Sequence, residues 1–292
     1  MIDTRRLRTL RAVADHGTVT AAAAALHLTP SAVSQQLGAL EHEVGHRLFT
    51  RDGRGVHLTA VGRIMLAHAN EVLAQLERAE AEVAAYATGA AGEVTVACFA
   101  TAISAVLSPA MAALAVTNPG LRVRVLDAEG DQGLKMLLDE LADLAIAVEY
   151  RGAPDATDRR ITRRPLYAEP FDLVLPPGRD EPVDLPALAE ETWIGPYPGN
   201  PVHDVITFAC EQAGFTPRFA HSSDDFRAVV ALVGAGTGVA LVPRRALKDM
   251  ALPGVTIQQV SGPERRVFAA VRRGAEAHPL LKPLLDALAA AS

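Results

Sequence analysis

Leu7, Leu10, Val13 and Ala14 recur at three- and four-residue spacing and predict a first helix over Thr4–His16. Gly17 closes it, because glycine tolerates the left-handed cap. Thr18 offers a hydroxyl cap to a second short helix, Val19–Leu26, whose run Ala21–Ala25 lets another helix approach closely. His27, Leu28 and Thr29 form a turn. Pro30 suits a first helical turn, where its missing N–H has no partner to lose. A third helix, Ser31–Val44, aligns Val33, Leu37, Leu40 and Val44 and leaves Ser31, Ser34, Gln35 and Gly38 on other faces. Gly45 stops it. Leu48 and Phe49 read as core, and Asp52-Gly53 as a hairpin turn flanked by Arg51 and Arg54. Thr59 then caps a long helix to about Thr88. Its seam runs Val61, Met65, His68, Val72, Gln75 or Leu76, Ala79, Val83 and Tyr86, before Gly89 and Gly92. At ~1.5 Å per residue it spans roughly 45 Å.

From Glu93 the pattern alternates. Strand Val94–Phe99, helix Ile103–Val116, strand Leu121–Asp127, helix Asp131–Leu141 and strand Leu144–Val148 make a βαβαβ unit with a parallel sheet. A second block follows: strands Phe171–Leu175 and Trp193-Ile194, helix Val202–Ala213, strand Arg218–His221, helix Phe226–Gly234 and strand Val239–Pro243. Two such lobes predict a cleft at the carboxyl ends of their strands.

The chain has 292 residues, too many for one typical core, and its 49% hydrophobic and 21% charged content is globular rather than disordered. No uninterrupted apolar run approaches the ~20 residues of a membrane span. The N-terminus has no apolar segment of a secretory signal, so a cytoplasmic protein is expected. The net charge of −6 argues against nucleic acid when taken as a whole. Its distribution argues otherwise. Residues 1–58 hold seven arginines and five acids, +2, with five of the nine histidines; the remainder holds 21 basic and 29 acidic residues, −8. A basic end on an acidic body fits a nucleic-acid module fused to another domain.

Two short helices joined by a tight turn, the second opening with small polar residues, form a helix-turn-helix pattern. Ser, Thr and Gln reach base edges and phosphates without filling the major groove. The alternative is that Ser31 and Ser34 only start a helix. A hairpin with Arg51 and Arg54 beside that helix has the form of a wing.

The run Ala24-Ala25-Leu26-His27-Leu28-Thr29-Pro30-Ser31-Ala32-Val33-Ser34-Gln35-Gln36-Leu37, followed by Leu40-Glu41, Gly45, Leu48-Phe49, Arg51, Leu58-Thr59 and Gly62, resembles LysR-type transcriptional regulators. The resemblance extends in layout over the whole chain. It implies an α/β protein with an N-terminal winged helix-turn-helix (1–58), a linker and dimerisation helix (59–89) and a two-lobed effector domain built like a periplasmic binding protein (90–292). Lobe I would take about 92–161 and 267–292, and lobe II about 162–266. The chain would cross between lobes near Arg160–Leu166 and Ser261–Phe268, with Pro279–Ala290 returning to lobe I. By the resemblance Pro30, Ser31, Ala32, Ser34 and Gln35 line the base-reading face and Arg54 sits on the wing; Thr18, Thr29 and Arg51 complete the DNA set. Many relatives carry Arg where Gln35 stands, so a charged guanine contact is not expected. The implied partners are double-stranded promoter DNA, a small-molecule effector, a second copy through the linker helix, in a dimer or tetramer, and RNA polymerase.

The cleft candidates lie at strand ends. Phe99, Thr101 and Ser104 stand where the first strand meets its helix, a seat for a carboxylate or other anion. Glu129 and Glu149 follow the second and third strands. Pro196 and Tyr197 belong to a rigid loop that could line the mouth, and Asp224 and Asp225 start the next helix. Each of these also has a plain reading as cap or surface. Trp193 reads as core.

No cofactor, metal or enzymatic constellation is expected. Gly234-Ala235-Gly236-Thr237-Gly238 lacks the Lys-Ser/Thr ending of a phosphate loop and precedes a strand. His42 and His46 lack a third ligand. Cys98 and Cys210 fall in different lobes, which leaves no local redox pair. A solute-binding protein and an enzyme on an α/β scaffold are the competing classes.

Overall fold

The computed structural model describes residues 2–52, 55–88, 92–149, 158–179, 181–248, 250 and 254–292. Gly53, Arg54 and Gly89, expected at the hairpin tip and the helix end, lie outside these residues.

Three helices open the chain: α1 (Thr4–His16), α2 (Val19–Ala25) and α3 (Pro30–Val44). Their ends follow the local chemistry. Gly17 and Gly45 adopt left-handed caps with φ of 70° and 74°. The Thr18 and Thr29 hydroxyls accept from the N–H groups of Ala21 and Ala32. A hairpin, β1 (Phe49–Asp52) with β2 (Gly55–Leu58), pairs Phe49 with Leu58 and Asp52 with Gly55. The Glu41 carboxylate ties it to α3 by accepting from Leu48 N–H at 2.7 Å and Phe49 N–H at 3.3 Å. Leu10, Val13, Ala22, Val33, Leu40, Leu48 and Leu73 share one core. That core includes the first half of α4 (Ala60–Thr88), through Leu66, Ala69 and Leu73. The expected seam is thus split. Val61 and Met65 pack on the head, while Val72, Leu76 and Val83 are exposed.

Beyond α4 lies a six-stranded sheet. Its strands are β3 (Gly92–Cys98), β4 (Leu121–Asp127), β5 (Leu144–Val148), β6 (Ile161–Leu175), β9 (Ala240–Pro243) and β10 (Thr256–Arg272). Their order is β4-β3-β5-β10-β6-β9. The parallel strands β3, β4 and β5 are those of the expected βαβαβ unit. Lobe II adds a parallel pair, β7 (Thr192–Gly195) and β8 (Arg218–Ser222). The two largest buried clusters of the body fall one to each lobe. One gathers Val96, Ile146, Val267, Val271 and Leu284; the other gathers Phe171, Leu173, Trp193, Ile206 and Val230.

Several expectations are corrected. Phe171–Leu175 is only the end of β6, which begins at Ile161 and pairs antiparallel with β10 along its length. The stretches given as crossings, Arg160–Leu166 and Ser261–Phe268, keep their place in the chain and run mostly as continuous strand. Pro165, Pro170 and Pro263 lack the ladder donor and obscure the strands in the sequence. Pro165 and Pro170 stand at the ends of paired stretches, and Pro263 falls in the register shift between Gln259 and Glu264. The helix expected from Ile103 starts earlier, as α5 (Ala100–Ala102), and passes through a π-helical stretch, Ile103–Leu107, into α6 (Ser108–Thr117). By length and composition Ala100–Thr117 could cross a membrane. Its Ala102, Val106, Leu107, Ala110 and Leu114 are buried in the lobe I core. The helix expected to reach Leu141 is α7 (Gln132–Leu138), ended by Glu140 at φ 62°. The remaining helices are α8 (Pro201–Gln212), α9 (Phe226–Gly234), α10 (Arg244–Leu247) and α11 (Leu281–Ala290).

Gly62 seats α4 on the hairpin. A Cβ there would lie 2.0 Å from the Leu48 carbonyl oxygen. Gly62→Ala should destabilise the head by about 1–3 kcal/mol. The single tryptophan, Trp193, sits in the lobe II core and reports that lobe alone. Urea unfolding should show the helical circular-dichroism signal lost earlier while the Trp193 fluorescence transition stays in place.

Candidate functional site

Two sites emerge from these elements. The first is the outer face of α3. Thr29, Pro30, Ser31, Ser34 and Gln35 are exposed, Ala32 is half-buried, and Thr18 is exposed at the start of α2. The Thr29 and Ser31 hydroxyls lie 3.0 Å apart. The α3 N-terminus with these small polar groups presents N–H donors and hydroxyls outward, as phosphate and base edges require. Val56 N–H donates to the Gly17 carbonyl at 3.0 Å and holds the hairpin beside the α1–α2 turn. Arg51 lies in β1.

The second site is a cavity of about 1000 Å³ between the lobes. Phe99, Thr101, Ser104 and Glu129 line it from lobe I, and Asn200, Asp224, Asp225, Arg227, Arg245 and Lys248 from lobe II. Its floor is an ion pair that sequence reasoning missed. Arg265 and Glu169 face each other across β10 and β6, 1% and 2% exposed, with Arg265 Nη2 2.5 Å from Glu169 Oε1. Arg265 Nη2 also donates to the Thr101 hydroxyl at 2.8 Å. The other Glu169 oxygen accepts from Arg245 N–H at 2.9 Å, and the Arg245 guanidinium stacks 4.0 Å over the Tyr167 ring. Thr101 is thereby held by a buried cation, while the Ser104 hydroxyl donates to the Thr101 carbonyl at 3.1 Å. An acid and a base that each precede an apolar strand run were the available signal.

Glu129 reaches across the cleft. It accepts from Ala100 N–H at the start of α5 and from Asn200 Nδ2 of lobe II at 3.4 Å. Burial pushes its carboxyl above the usual range, offset in part by the Ala100 bond. Asn200 Nδ2 also donates to Asp224 at 3.0 Å, and Asp224 accepts from Tyr197 N–H at 3.2 Å. Asp225 caps α9 by accepting from Arg227 N–H at 2.8 Å.

Glu149, Pro196 and Tyr197 are not brought into this cleft. Pro196 is buried, and the Tyr197 side chain is 56% exposed. Glu149 lies on a second cavity of about 1010 Å³, with Phe208 and Arg266. Arg265 and Arg266 point to opposite faces of β10, as successive strand residues do. Among the described residues no group of His, Cys, Asp and Glu could hold a metal. Both cysteines are buried, and burial raises both thiols, Cys210 to about 12.

A winged helix-turn-helix head joined by a long helix to a two-lobed ligand-binding body defines a ligand-responsive DNA-binding regulator. Residues 4–63 match the family described as bacterial regulatory helix-turn-helix protein, lysR family, and residues 87–292 match the LysR substrate binding domain. The chain belongs to the LysR family of transcriptional regulators. It is 30% identical over 290 residues to the HTH-type transcriptional regulator IlvR of Caulobacter vibrioides, covering 97% of this chain and 96% of that protein. The fold is shared with hydrogen peroxide-bound OxyR of Corynebacterium glutamicum, a cysteine-to-serine variant (TM-score 0.61, 24% identity, 99% of this chain and 92% of that one). It is also shared with full-length CbnR complexed with its target DNA (TM-score 0.57, 24% identity, 99% of each chain).

Removing one member of the buried pair should be severe. Glu169→Ala should cost about 3–5 kcal/mol, whereas Glu169→Leu with Arg265→Met should recover most of it. Chemical denaturation measures both. Glu129 has a raised carboxyl, so its favourable contribution is fullest at acid pH and is lost as pH rises through the raised value. Glu129→Gln should therefore raise the urea midpoint more at pH 8 than at pH 4.

Proposed function

We propose that this regulator senses a small anionic metabolite in the cleft between its lobes. The observation that carries this reading is the Thr101 hydroxyl fixed by buried Arg265 at the cleft floor, with Ser104 beside it and Arg227, Arg245 and Lys248 on the opposite wall. An anion entering there competes with Glu129 for the start of α5 and frees the Glu129–Asn200 contact between lobes. Such a ligand binds the two arrangements unequally, which is what coupling requires.

On the DNA side the reading assigns Thr18, Thr29, Pro30, Ser31, Ala32, Ser34 and Gln35 to the duplex, with Arg51 and Arg54 on the wing. Exposure of the α3 face supports it. The exposed stripe Ile64, Val72, Leu76 and Val83 of α4 supports a homodimer built on that helix. Two heads about 34 Å apart reach successive major-groove faces. The parts divide near residues 58 and 89, and the protein acts in the cytoplasm, as a dimer or tetramer, on promoter DNA and with RNA polymerase. A binding protein built of residues 93–292 alone leaves the α3 face unused.

Binding to duplexes from the region upstream of its own gene should be specific and should weaken steeply with salt. Absence of any specific, salt-sensitive shift would falsify the DNA assignment. Arg54→Ala should weaken binding roughly tenfold without changing the dimer in sedimentation. A thermal-shift screen of small carboxylates should raise the melting temperature of wild type and not of Thr101→Val. Stabilisation equal in both would remove Thr101 from the site.

A further inference from the structure

The head touches lobe I along an ionic seam that neither the DNA face nor the cleft uses. Arg11, Asp15 and His16 of α1 face it. Arg11 is 8% exposed and pairs with Glu140, just beyond α7, and with Glu77 of α4 at 3.9 Å. His16 Nε2 lies 3.3 Å from Asp139 Oδ1. Asp15 Oδ1 lies 3.8 Å from Arg160 Nη1, and Arg160 is itself held by Asp158 at 2.9 Å. Glu77 continues the chain of charges to Arg272 at 3.9 Å, which is also 3.5 Å from Asp143.

The seam has the composition of a contact that can part. Leu7, Leu10 and Val13 of α1 belong to the head core, and no residue of that core appears in either lobe core. The attraction of its ion pairs is weakened by salt. It is also imperfect. The Asp15 side chain is 4% exposed, and its Oδ1 has no hydrogen-bond donor. A cavity of about 510 Å³ opens beside it, lined by Asp15, His16, Asp139 and Arg160 and by the apolar side chains of Leu134 and Leu138. Glu140 holds its position at φ 62°, a conformation disfavoured for residues other than glycine.

We propose that lobe I carries a docking surface for the chain's own DNA-binding head, and that the Arg11–Glu140 pair makes it a latch that parts without either domain unfolding. Docked, the latch fixes the direction in which α3 is presented. Parted, the head stays on α4 but turns free of lobe I. The latch does not depend on the cleft reading. Burial pushes the Asp15 carboxyl up to about 7 when docked, against 3.8 ordinarily. Docking is therefore favoured with Asp15 protonated and weakens as pH rises through that value. The charged groups facing Asp15 are Arg11 and His16 of α1, Asp158 and Arg160 before β6, and Asp131, Lys135, Asp139 and Glu140 in and around α7.

Both native cysteines are buried, so spin labels go selectively on Thr20→Cys of the head and Arg122→Cys of lobe I. Excess unlabelled protein limits each particle to one labelled copy. Electron–electron resonance should show one narrow distance population at pH 6 and low salt. Glu140→Lys, on the half-exposed side, should lower that population several-fold, as should 1 M salt, with thermal unfolding unchanged. Arg11→Glu should do the same, and Arg11→Glu with Glu140→Arg should restore it. Raising the pH from 6 to 8 should broaden wild type and not Asp15→Asn, both in a His16→Gln background. An unchanged distribution in Glu140→Lys overturns the latch. Equal pH responses with and without Asp15 overturn its proton linkage.

Discussion

The antiparallel ladder of β6 and β10 is the constraint on which the rest of the body depends. Each strand begins in one lobe and ends in the other, so one hydrogen-bonded ribbon serves both cores. Phe171 and Leu173 feed lobe II, and Val267 and Val271 feed lobe I. The ribbon is uneven. Between Gln259 and Glu264 its register shifts, and Gly262 there adopts φ 125°. Pro170 stands opposite Glu264 without a donor of its own. Bending is therefore easiest where the lobes meet. Arg265 and Glu169 pair at the next position, so the cleft floor is pinned beside the weakest part of the ladder.

A buried ion pair is a weak device for stability, because desolvation offsets its attraction. Its value here is placement. Glu169 can accept from Arg265 and Arg245 together only in one register, and Arg265 can reach Thr101 only from that register. The pair thus fixes the approach of lobe I's first helix to lobe II's α10. Electrostatics then divides into two regimes. The pair at the floor is dry and permanent. The contacts at the rim (Glu129 with Asn200) and at the head (His16 with Asp139) are partly wet and can be exchanged for solvent or ligand.

What could be read from the chain and what could not follow from contact distance. The head was legible because its signals are local. Thr18, Thr29, Pro30, Gly17 and Gly45 each act within a turn of their own position. The floor of the cleft was not. Glu169 and Arg265 lie 96 residues apart, and only their strand register distinguishes inward Arg265 from outward Arg266. The first half of β6 carries Arg163, Arg164 and Pro165 and shows no clear strand pattern; its strand state comes from the partner strand. The place of Thr101 at the cleft was legible because a strand passing into a helix is a local signal. Glu149 obeyed the same rule and lies on another cavity.

Helix α4 joins these regimes. Leu66, Ala69 and Leu73 are buried in the head, while Ile64, Val72, Leu76 and Val83 stay exposed on the same helix. The head covers one apolar side of the helix and leaves the other exposed. The spacing from Val72 to Leu76 to Val83, four residues and then seven, is the period of a helix–helix seam, which fits a second copy of α4. The head then has anchors of two kinds. Its hold on α4 is apolar, continuous with its own core, and can be lost only by unfolding. Its hold on lobe I includes ion pairs, carries no shared core, and changes with the charges around it. Any motion of lobe I relative to α4 acts on the second anchor first. The body can therefore redirect the head without loosening it from the helix that would carry the dimer.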